Sequence, residues 1–180
     1  MALLEQTVAY TRSGKAGRVW ERTSILAAVF EHGTSRAQDP GLHSHALVQN
    51  LALRANGKTG ALVSKPFFEV KLALGAHYQA RLANRLERGL GLAIEWKAKT
   101  FALRDVPQPL CRECSKRRNA MLEVFAQTGG YSAVAAKAVA LQTRPPKIHV
   151  PRATLFEAWH QTGREFGWST PEAQAIVRLG

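Results

Sequence analysis

The amino-acid sequence predicts an α+β fold, with a partial antiparallel sheet packed by helices and a C-terminal helical segment after it. Three observations lead there. Two β-branched and aromatic runs, at 18–31 and 42–54, flank one connection rich in turn residues. A long segment after Ser64 carries apolar residues at every fourth position, the spacing of one helix face. Glycine and proline pairs cut the last third of the chain into helix-length pieces, so strands precede helices.

Taken in order, residues 2–12 have helical composition and end at Ser13 and Gly14. From Arg18 to Glu31 the residues favour a strand, and ILAAVF is a buried-strand run. His32 is followed by the ten residues GTSRAQDPGL, whose turn signal is Asp39-Pro40-Gly41. LHSHALVQNLALR reads as the second strand and closes at Asn56-Gly57. The two strands form an antiparallel hairpin with a long loop. Hairpin loops usually span about 2–5 residues, and longer ones tend to carry function.

Ser64 and Pro66 open a helix that runs to about Arg88, where Gly89 and Gly91 stop it. Val70, Leu74, Tyr78, Leu82 and Leu86 form its sheet-facing stripe. GLAIEWKAKTFAL supplies one or two further strands before Pro107 and Pro109. One helix then covers roughly 110–127, and a second starts at Ser132 and breaks at Pro145-Pro146. A third begins near Pro151 with Leu155 and Trp159 on one face, and a short fourth opens on Thr170-Pro171-Glu172. At 180 residues this is a single domain, with a β-rich part at 1–106 and a helical part at 107–180.

The charge narrows the choice of partner. Twenty-five Lys and Arg stand against 13 Asp and Glu, a net charge of +12 spread over the whole chain. Such an excess favours polyanions and an extended phosphate-tracking surface. No apolar run reaches the roughly 18 residues of a membrane span, and the first residues do not form a secretory leader. The expected location is cytoplasmic. Cys111 and Cys114 form a lone C-x-x-C in a helical segment, without the second pair a zinc site needs, and read as reduced thiols.

The candidate site is a set of three histidines. His32 closes the first strand, and His43 and His45 open the second. Strand side chains alternate, so His43 and His45 share a face, and pairing of the hairpin brings His32 alongside them. Three imidazoles on one face suit a divalent metal with coordination positions left for substrate oxygens. The cupin pattern also has H-x-H on a strand but wants a glutamate shortly after it, where this chain has Gln49.

The run AVFEHGTSRAQDPGLHSHALVQN resembles the metal-binding motif of conjugative relaxases of the TrwC/TraI (MobF) type, members of the HUH endonucleases. The match is one histidine, ten residues, then a histidine pair flanking Ser44. FFEVKLALGAHYQARLANRLERGLG, CSKRRNAML, QTRPPK and LFEAWHQTGREFGW resemble later segments of the same domain. The resemblance implies site- and strand-specific nicking of single-stranded DNA at an origin of transfer. In that chemistry a tyrosine attacks the scissile phosphate and a 5′-phosphotyrosyl intermediate conserves the bond energy. The resemblance implies Mg²⁺ or Mn²⁺ as the metal, while an all-nitrogen ligand set also admits Zn²⁺ or Ni²⁺. It places DNA contacts at Arg36, Lys116, Arg117, Arg118, Arg144 and Lys147.

In the family the nucleophilic tyrosines and an acidic strand precede the histidines, and the expectation is that this chain begins after both. Tyr10 falls in the first helix, Tyr78 on the apolar stripe and Tyr131 beside a helix start. The chain then represents the metal-binding and C-terminal part of a relaxase domain, incomplete alone and with an exposed sheet edge. An N-terminal relaxase segment is an expected partner. Two alternatives stand beside this reading: an inactive single-stranded DNA-binding remnant or regulator, and a small three-histidine metalloenzyme acting on another substrate. The tryptophans Trp20, Trp96, Trp159 and Trp168 read mainly as packing residues.

Overall fold

A computed structural model describes residues 1–128, 132–146 and 148–177. The chain forms two compact units that interleave in sequence: residues 1–31, 44–86 and 96–101 make the first, and 32–43, 87–95 and 102–180 the second. Secondary structure is α+β. Among the described residues the strands pair two by two.

The first unit opens with α1 (Ala2–Val8), whose Glu5 carboxylate accepts the Ile25 backbone N–H at 2.9 Å. The helix ends four residues earlier than its composition predicts, because Tyr10 and Thr11 are taken up by a sheet. Strand β1 (Tyr10–Ser13) pairs antiparallel with β2 (Val19–Arg22), with Tyr10 opposite Arg22. Fully buried Thr11 donates its hydroxyl to Ala61 O at 2.9 Å, and Val63 N–H bonds Tyr10 O at 2.8 Å. These tertiary bonds outweigh helix propensity at 9–12. The short β1–β2 link turns on Gly14 at φ +73°, a region that favours glycine.

The predicted strand at 18–31 is two strands, β2 and β3 (Ala27–Thr34), separated by residues that bond elsewhere: Thr23 N–H reaches Ala9 O at 3.1 Å. Strand β3 pairs with β4 (Pro40–Val48). Gln49 N–H to Leu26 O at 2.8 Å and Ser35 N–H to Asp39 O at 2.9 Å mark opposite ends of this pair and make it antiparallel. Half of the ten residues between His32 and His43 are therefore strand, and the actual turn is 35–39. The second predicted strand also stops early, at Val48, and a short β5 (Ala52–Leu53) pairs with β6 (Thr59–Gly60).

Helix α2 (Lys65–Leu90) has the predicted extent and is capped by Gly91 at φ +62°. Val70, Leu74, Leu82 and Leu86 are half-buried along it, but Tyr78 is 62 % exposed and is not a core residue. Strands β7 (Ile94–Lys97) and β8 (Thr100–Leu103) form the next pair. Trp96 meets Phe101 edge-on there, 5.7 Å between ring centres, and is 58 % exposed. Trp20 on β2 is likewise exposed, at 45 %, and not buried.

The helix predicted over 110–127 is two helices, α3 (Gln108–Glu113) and α4 (Lys116–Thr128), broken at Cys114 and Ser115. Helix α5 (Ala133–Gln142) starts on Ser132, whose hydroxyl accepts Ala135 N–H at 3.0 Å. Then come α6 (Arg152–Glu165) and α7 (Thr170–Ala175). No helix among the described residues is long and apolar enough to cross a membrane.

Burial is thin. Val8, Ala9, Thr11, Ala52, Val63 and Ala83 centre the first unit, and Leu92, Leu110 and Val139 the second. Side chains of both orientations on β3 and β4 are exposed, including Val29, Phe30, Leu42 and Leu47. A two-stranded ribbon whose apolar side chains are exposed among the described residues is marginal by itself.

Candidate metal site

Alternation on β4 sends His43 and His45 to one face, and β3 lays His32 beside them. The His32 and His43 rings meet edge to face with centres 5.5 Å apart. One ring nitrogen from each histidine lies within 4.8 Å of the others, and all three residues are exposed. Metal–imidazole bonds of about 2.0–2.1 Å put such nitrogens about 3 Å apart, so small side-chain rotations suffice to close the set on an ion. The donors fit: three nitrogens converge, and their exposure keeps the remaining coordination positions accessible.

One ring is already oriented. His43 Nδ1 lies 2.8 Å from the Gly41 carbonyl. A carbonyl oxygen can only accept, so Nδ1 carries the proton and the ligating lone pair is on Nε2.

The basic residues singled out from sequence have different surroundings. Arg36 is half-buried in the 35–39 turn. Lys116 opens α4 with its backbone N–H on Asp39 Oδ2 at 3.0 Å and its ammonium 3.7 Å from Asp39 Oδ1. Arg117 donates to Ala140 O at 3.1 Å and thereby joins α4 to α5. Arg118 and Arg144 are exposed, and Lys147 and Tyr131 lie outside the described residues. Tyr10, on β1 rather than in a helix, packs on Trp20 with centres 5.9 Å apart and lies under the Arg22 guanidinium.

Sequence reading passed over Asp39 as a turn residue and Trp159 as a packing residue. Both bond the histidine hairpin within the second unit, through Lys116 N–H to Asp39 and Trp159 Nε1–H to Gln38 O at 2.8 Å. The D-P-G turn signal was the available clue to Asp39. Of the two thiols, Cys111 is exposed, while burial, aided by the Asp39 charge, pushes the Cys114 thiol above its ordinary value.

Comparison with known proteins places the chain. The profile of the TrwC relaxase family matches residues 1–166. This chain belongs to the TrwC relaxase family. Among curated TrwC-family relatives, the multifunctional conjugation protein TraI of Escherichia coli is 31 % identical over 155 residues, covering 81 % of this chain and 8 % of TraI. The conjugative relaxase TrwC in a metal-free complex with oriT DNA superposes with a TM-score of 0.85 at 29 % identity, over 92 % of this chain and 60 % of that one. A copper-bound TrwC–oriT complex gives 0.85 at 30 %, over 93 % of this chain and 60 % of that one. The α+β architecture is thus that of TrwC-family relaxases, and the chain spans 8 % of TraI and about 60 % of these TrwC chains.

Proposed function

We propose that this chain holds a divalent metal on His32, His43 and His45 and presents it to a phosphate of single-stranded DNA at an origin of transfer, as part of a strand-nicking and rejoining relaxase. The convergence of the three ring nitrogens carries the reading. Family membership, structural neighbours in complex with oriT DNA, one of them copper-bound, and the net charge of +12 support it. When bound, a dication on neutral imidazoles offsets charge growing on the phosphoryl oxygens. Ring orientation at His43 and exposure of the triad are what the chain itself contributes. Mg²⁺ or Mn²⁺ is proposed on family grounds, with Zn²⁺ and Ni²⁺ as the alternatives the nitrogen donors admit.

Arg118, Arg144, Lys147 and Arg36 are proposed to follow the strand's phosphates. The nucleophilic tyrosine, we propose further, comes from a relaxase segment outside these 180 residues that docks on β3–β4. Tyr10 is held by Trp20 and Arg22, and the hairpin exposes Val29, Phe30, Leu42 and Leu47 for such a segment to cover.

Fluorescence anisotropy with a labelled single-stranded 27-mer tests the proposal. Mn²⁺ should tighten binding, and the tightening should vanish with chelator and in His43→Ala. Binding indifferent to both would favour a DNA-binding role without metal chemistry.

A further inference from the structure

The five-residue turn joining the ligand strands is densely hydrogen-bonded. Ser35 Oγ accepts the N–H groups of Ala37 and Asp39, each at 3.1 Å, and Ser35 N–H bonds Asp39 O. Gln38 sits at φ +63°, a left-handed conformation that a non-glycine residue keeps only where its neighbours enforce it. Here they do. Its carbonyl accepts from Trp159 Nε1–H on α6, and its side-chain amide donates to Ile148 O at 3.1 Å. Asp39, only 4 % exposed, takes the first backbone N–H of α4 on one carboxylate oxygen and faces the Lys116 ammonium with the other. A carboxylate at a helix N-terminus is favoured by the unpaired N–H groups and the helix dipole.

Two residues beyond Asp39 lies Gly41, whose carbonyl orients His43. We infer that Asp39 and Trp159 are positioning residues for the metal: they lock the 35–39 turn onto α4 and α6, and so fix the Gly41 carbonyl and the direction of His43 Nε2. The C-terminal helices then serve as an outer shell of the metal site. This rests on the metal reading above. It also gives Lys116 a role in holding the turn, where sequence resemblance placed it on DNA.

Copper(II) is a suitable probe, because its paramagnetic resonance spectrum reports the nitrogen donors and their geometry. The full chain and the variants Asp39→Ala, Asp39→Asn and Trp159→Phe are titrated with copper, alongside melting curves of the metal-free proteins. Loss of outer-shell partners typically weakens metal binding about 10- to 100-fold, and Asp39→Ala should fall in that range with an altered spectrum. Asp39→Asn keeps an oxygen for the Lys116 N–H and should recover much of the loss. Trp159→Phe keeps the ring but not the donor and should shift the spectrum with a smaller loss of affinity.

A merely structural role would lower the melting temperature and leave the affinity and spectrum of the folded protein unchanged, which overturns the inference. Should Asp39→Ala fail to fold, the other two variants decide by the same criterion. A wild-type chain whose copper binding equals that of the triple His→Ala variant overturns the metal reading itself. Wild-type binding through histidine, with no change in the variants, overturns only the positioning role.

Discussion

His43 and Gly41 are joined by a hydrogen bond from ring Nδ1–H to backbone carbonyl at 2.8 Å. Two residues apart on one strand, they hold the imidazole in a single tautomer before any ligand arrives. Long-range ¹H–¹⁵N correlation of the metal-free protein should show His43 protonated at Nδ1. A spectrum with the proton on Nε2 would contradict that assignment.

Arg117 and Arg118 are adjacent on α4 yet should behave oppositely. Arg117 bonds Ala140 O, so Arg117→Ala should cost about 1–2 kcal/mol in denaturant unfolding. Exposed Arg118→Ala should leave stability within about 0.5 kcal/mol and weaken single-stranded DNA binding. For single strands, loss of one phosphate contact also lowers the salt slope by about 0.7.

The thiols should react in a fixed order. Burial, then the Asp39 charge, raises the Cys114 thiol, while the nearby Lys116 ammonium opposes them. A raised folded value means that any stabilisation from the protonated thiol is complete below the ordinary thiol range and is lost as pH rises through the folded value. At pH 8 the Cys114 thiolate is therefore scarce, and iodoacetamide should label exposed Cys111 first. Faster labelling of Cys114 would count against the described burial.

Helix α7 is closed at its start by Ser169 and Glu172. The Glu172 carboxylate accepts both the Ser169 hydroxyl and the Ser169 backbone N–H, and these bonds hold its pKa below the ordinary value of 4.5. The stabilisation is present above that value and is lost as pH falls through the lower folded one. Melting temperatures of wild type and Glu172→Gln should therefore differ at pH 7 and converge in acid. A difference that persists in acid would remove the carboxylate from the cap.

The sequence carried the histidine site because local rules sufficed: alternation set His43 and His45 on one face, and a consecutive hairpin brought His32 to them. Helix α2 was legible for the same reason, with a start signal, a period and a glycine stop. Tyr10 was not, since its strand is held by Val63 and by the burial of Thr11, contacts about fifty residues distant. The length of the hairpin turn was misjudged because strand pairing through Thr34 and Pro40 absorbed residues that composition assigned to a loop. Asp39 and Trp159 escaped because their partners, Lys116 and Gln38, lie 77 and 121 residues away in sequence.

The most direct test of the account is calorimetric titration of the chain with Zn²⁺ or Mn²⁺, compared with His32→Ala, His43→Ala and His45→Ala. One ion per chain should bind, and each substitution should weaken it by more than the roughly 10- to 100-fold typical of outer-shell losses. Binding that survives all three substitutions at wild-type strength, or no binding by the wild-type chain, would contradict the proposed metal site.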